Sequence, residues 1–70
     1  MKKMNVLKLA NVLLNSRKKE DLKRLFRKSN SEFLRKETSI IDDYYKNPSP
    51  DMKFVMLLYL AKLILSRREK

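Results

Sequence analysis

The stretch Phe54-Val55-Met56-Leu57-Leu58-Tyr59-Leu60-Ala61 is an unbroken run of eight apolar residues, and beyond Lys62 it resumes as Leu63-Ile64-Leu65. At about 100° per residue these side chains point to every side of a helix. A helix that is apolar all round has no solvent face, so it must be covered on most sides. The cover comes from the rest of the chain, from a second copy, or from another protein. Phe54 to Leu65 rises only about 18 Å as a helix, well short of the ~30 Å of a bilayer core, so no membrane span is expected.

The chain has few other means of holding itself together. Seventy residues make one domain, read here as a single helical unit over 1–70. A domain of this size buries only about 60% of its unfolded surface and is marginal on its own. There is no cysteine for a disulfide or a thiolate metal site, and no histidine for the commonest metal ligand or general base. Helix packing and self-association remain. Glycine is absent too, which removes glycine-rich phosphate loops and the residue that tight hairpins favour.

The expected fold is therefore all-α: a small four-helix domain with a central apolar C-terminal helix, assembled as a homodimer. The first helix is predicted from about Lys3 to Asn15, with Val6, Leu7, Leu9, Ala10, Leu13 and Leu14 on one arc. Ser16 is read as a cap for a second helix over about Lys18–Lys28, with Glu20 and Asp21 in its first turn. Leu22, Leu25 and Phe26 form its narrow apolar stripe. Ser29 and Glu32 have capping-box spacing, which predicts a third helix over about Asn30–Lys46. Phe33, Leu34, Ile40, Ile41, Tyr44 and Tyr45 share its apolar arc. Glu37 falls in the middle of that arc and is expected to pair with a Lys or Arg at the core edge. Ser49, Pro50 and Asp51 give a start signal for a fourth helix that runs to about Arg68.

Charge supplies the functional clue. Eighteen Lys and Arg against eight Asp and Glu give a net charge of +10, which points to a polyanionic partner. Residues 17–28 are the most basic segment, with seven positive and two negative side chains. The candidate nucleic-acid contacts are Arg17, Lys18, Lys19, Lys23, Arg24, Arg27 and Lys28, with Arg35 and Lys36 assisting. The second and third helices have roughly the dimensions of a helix-turn-helix, which would make the third the reading helix. The candidate self-association residues are Phe54, Leu57, Leu58, Ala61 and Leu65.

No constellation suggests catalysis. The neighbouring pairs Asp42-Asp43 and Glu20-Asp21 diverge by about 100° on a helix, and no histidine is present to activate a serine. No catalytic residue, metal ligand or cofactor is expected. The expected function is a small cytoplasmic, non-enzymatic regulator that binds nucleic acid, DNA ahead of RNA, through phosphates. The alternative is a protein-interaction module, a phage- or plasmid-type inhibitor, adaptor or immunity protein that docks on a larger host protein or a membrane surface.

Overall fold

The computed structural model describes residues 5–68, so Lys3, where the first helix was expected to start, lies outside the described residues. Among the described residues five helices follow one another: α1 (Val6–Ser16), α2 (Lys19–Arg27), α3 (Glu32–Lys36), α4 (Ser39–Lys46) and α5 (Pro50–Arg68). They hold 81% of the described residues, with no strand among them.

The helix starts follow local side-chain chemistry. The Asn5 side-chain oxygen accepts from the Lys8 N–H at 3.2 Å and caps α1. Ser49 does the same for α5 by accepting from the Met52 N–H at 3.2 Å, with Pro50 in the first helical position. Two expected caps move. Ser16 is the last residue of α1, and α2 begins behind Lys18, which makes no side-chain cap bond. For α3 the capping residue is Ser31, whose hydroxyl accepts from the Leu34 N–H at 3.4 Å. The expected capping residue, Ser29, is buried in the preceding turn and its Oγ accepts from the Ser31 N–H at 2.9 Å.

The third predicted helix is two helices, so the bundle has five elements instead of four. Continuity fails at Glu37-Thr38. The Glu37 N–H returns to the Leu34 carbonyl, and the Ile40 and Ile41 N–H groups return to the carbonyls of Glu37 and Thr38, all three residues back. These tighter turns replace the four-residue ladder of an α-helix. Thr38, Ser39, Ile40 and Ile41 make the segment a weak helix former, because three of them are β-branched and lose rotamer freedom in a helix. Glu37 thereby leaves the apolar arc and becomes the C-cap of α3. Among the described residues its expected ion pair is not formed.

The core is built around α5. Met56, Leu60 and Leu63 are buried and meet Ala10 and Leu14 of α1, Leu22 and Phe26 of α2, Leu34 of α3 and Ile41 of α4. α1 lies along α5, α2 packs on α3 and α4, and α4 closes back on α5. Tyr59 takes Phe33 edge-on, with ring centroids 5.2 Å apart at 78°, and sits 6.4 Å from Phe26. Phe33 and Tyr45, expected in the core, keep a large part of their surface in solvent.

Cover of α5 is incomplete. Phe54, Leu58 and Leu65 remain 57%, 45% and 47% exposed. At 3.6 residues per turn they lie opposite Met56, Leu60 and Leu63, so the outer face of α5 is as apolar as its core face. Among the described residues no helix is long and apolar enough to cross a membrane.

Candidate nucleic-acid interface

The basic segment divides into an inward and an outward set. Lys23, on the inward side of α2, donates to both carboxylate oxygens of Asp42 on α4 at 3.1 Å. Lys19, one turn earlier, stands 3.6 Å from the same carboxylate. The Lys23 side chain is only 16% exposed. Its hydrogen bond holds the Asp42 carboxyl below its usual 3.8; partial desolvation opposes this, and the charges of Lys23 and Lys19 reinforce it. These two cations clamp α2 to α4.

The outward set is Arg17 and Lys18 at the head of α2, Arg24 and Arg27 along it, and Lys28 as its C-cap, all exposed. Arg24 makes a loose i,i+3 pair with Asp21 at 3.6 Å, with both side chains well solvated. Such a pair contributes little and leaves Arg24 able to turn to another anion. Arg35 and Lys36 sit on α3. Arg35 donates to the Ser29 carbonyl at 2.8 Å and fixes the α2–α3 turn. Lys36 pairs with Glu32 at 3.3 Å across one turn of helix, fully in solvent range.

Two clefts draw the outward residues together. The first has a volume of about 530 Å³ and is lined by Arg24, Leu25, Lys28, Ser29 and Asn30 from the end of α2 and its turn, and by Leu63 and Arg67 of α5. The second, smaller groove is lined by Arg17, Asp21, Arg24 and Leu25, and it shares Arg24 and Leu25 with the first. Of the residues expected at a phosphate-binding surface, Arg24 and Lys28 share the first cleft and Arg17 and Arg24 the second groove. Lys18 and Arg27 flank them along the chain. Lys19 and Lys23 face Asp42, and Arg35 and Lys36 have partners on or beside α3.

Arg67 was missed as a site residue. In sequence it reads as a cation that complements the C-terminal dipole of a long helix. Only the packing of α5 against the end of α2 brings it to Lys28.

The helix-turn-helix expectation meets a geometric obstacle. A reading helix must reach base edges along its N-terminal turns. α3 has five residues and spans about 7.5 Å. Its Phe33 is engaged with Tyr59 and its Leu34 is buried.

The self-association candidates also divide. Leu57 packs against the core and Ala61 is half-buried, while Phe54, Leu58 and Leu65 are solvent-facing. No family model, curated protein or solved structure matches this chain.

Proposed function

We propose that the chain is a small non-enzymatic nucleic-acid-binding protein, with DNA as its first partner, which holds phosphates on the outward face of α2. The observation that carries this reading is the sorting of the cations. Lys19 and Lys23 neutralise Asp42, yet Arg17, Lys18, Arg24, Arg27 and Lys28 stay at the surface. A chain that needed charge only for solubility would gain nothing from gathering it on one short helix. The contact is with the backbone, because α3 is too short to read bases in the major groove.

The test is fluorescence anisotropy with a labelled oligonucleotide over a salt series. Neutralising three to five phosphates on a duplex gives a slope of log affinity on log salt of about −3 to −4.5. Arg24→Ala, Arg27→Ala and Lys28→Ala together are expected to remove most binding while the helical circular-dichroism spectrum persists. Lys23 is left in place because it holds α2 to α4. Undiminished binding by this triple variant sinks the reading.

A second reading has its own observation, the apolar outer face of α5. Phe54, Leu58, Ala61 and Leu65 are spaced by four, three and four residues, the spacing of a coiled-coil seam. We propose that a second copy pairs along this seam to form a homodimer. Docking of the same face on a larger host protein is the rival outcome. A chain that stays monomeric at every concentration overturns the homodimer.

A further inference from the structure

We propose that the cleft between the end of α2 and the end of α5 is a binding site for a phosphomonoester, namely the terminal phosphate of a nucleic-acid strand or of a free nucleotide. Three cations from two separate elements, Arg24, Lys28 and Arg67, line it; among the described residues no carboxylate is part of the lining, and the one beside it, Asp21, holds Arg24 only in a loose, solvated pair at 3.6 Å. A phosphodiester inside a strand carries one negative charge, whereas a phosphomonoester carries about 1.5 to 2 at neutral pH. Three cations around one opening match the more highly charged group and the fork geometry of arginine suits its oxygens. The last-turn carbonyls of α2 and α5 account for cations near each helix end. They do not account for the two ends meeting across a cavity.

The rest of the lining suits the body that would carry such a phosphate. The volume of about 530 Å³ falls in the usual range of small-molecule sites. Leu25 and the buried Leu63 supply an apolar side, and Asn30 supplies an amide for a polar edge. The wall is set before any ligand arrives. Ser29 is buried, its N–H donates to the Phe26 carbonyl at 3.1 Å, its hydroxyl accepts from the Ser31 N–H, and its carbonyl accepts from Arg35. A preformed wall lowers the ordering cost of binding. The nucleotide body rests on the nucleic-acid reading above; the phosphate rests on the cleft alone.

The experiment compares one single-stranded oligonucleotide with a phosphate or a hydroxyl at its 5′ or 3′ end, alongside a nucleoside monophosphate and its parent nucleoside. The intact chain is expected to bind a phosphorylated end about tenfold more tightly than a hydroxyl end, the scale of one added charged hydrogen-bond set. Arg67→Gln is expected to lose that preference. Lys53→Gln removes the same charge from an exposed position of α5 outside the cleft and is expected to keep it. Lys28→Gln reads the same site if Arg67→Gln does not fold. Equal affinity for both kinds of end overturns the proposal, as does a preference that survives Arg67→Gln or disappears with Lys53→Gln. If no oligonucleotide binds but the monophosphate does, and Arg67→Gln abolishes it, the site stands and the nucleic-acid function falls. If neither ligand binds, both fall.

Discussion

Lys23 donates to both oxygens of Asp42 and Lys19 stands beside the nearer one, so a single carboxylate fixes one face of α2 against α4. Replacing it with a neutral isostere takes the counter-charge from a part-buried Lys23 side chain, but the carboxylate is 45% exposed and water screens the pair, so the cost is modest. Asp42→Asn is therefore expected to lower the thermal midpoint at neutral pH. The pH dependence has a definite sign. The Asp42 carboxyl lies below its usual 3.8 because of Lys23, so its stabilisation is complete above that value and is lost as pH falls through the lower folded-state pKa. Melting curves of parent and variant should converge in strong acid and separate on the way to neutrality. A constant separation down to the lowest pH would show that the loss comes from packing instead. None of this was legible in sequence. Asp42 there is one of two adjacent aspartates, and the partner that selects it over Asp43 lies 19 positions away.

At the scale of the element, the punctuation that sequence carries best is the kind written within three or four residues. Ser49-Pro50-Asp51 starts α5 where expected, since the cap, the fixed proline and the acidic first turn act locally. Ser49→Ala is expected to cost about 1 kcal/mol through the unsatisfied Met52 N–H, measured as a drop in the denaturation midpoint. Leu60 is the larger test. It is fully buried in the helix around which the rest packs, so Leu60→Ala is expected to cost about 2–5 kcal/mol. A loss of that size is a large part of the stability of a domain this small, and cooperative unfolding should move near or below ambient temperature. Retention of the parent midpoint would mean that α5 is not the centre of the core. The break between α3 and α4 was illegible because no glycine or proline marks it. The apolar spacing of Leu34 and Ile41, seven residues apart, is that of an uninterrupted helix, and both are buried on either side of the break. Only the weak helix preference of Thr38 to Ile41 hinted at it. The same break makes Glu37 the C-cap of α3, and among the described residues its expected ion pair is not formed.

For the whole molecule, charge and apolar surface make opposite demands on the solvent, and this allows the two proposed roles to be separated in one titration. Each copy carries a net charge of +10. Two copies repel, and salt screens that repulsion. Nucleic-acid binding, in contrast, weakens with salt because counterions are released when phosphates are neutralised. Pairing along Phe54, Leu58 and Leu65 is also bounded in strength. The seam is about 17 Å long, and three half-exposed side chains fall well below the ~800 Å² per partner of a standard stable interface. The expected dimer is therefore weak, visible as a solution mass that rises with protein concentration. It should tighten as salt rises over the range in which oligonucleotide affinity falls. Leu58→Lys puts a charge at the centre of the seam and leaves the buried face of α5 intact. It is expected to hold the mass at one copy throughout, with the helical spectrum and the thermal midpoint of the dilute parent unchanged. Pairing that weakens with added salt would show that ion pairs between copies, and not this apolar face, hold the dimer together. Pairing that survives Leu58→Lys would place the dimer contact elsewhere on the molecule.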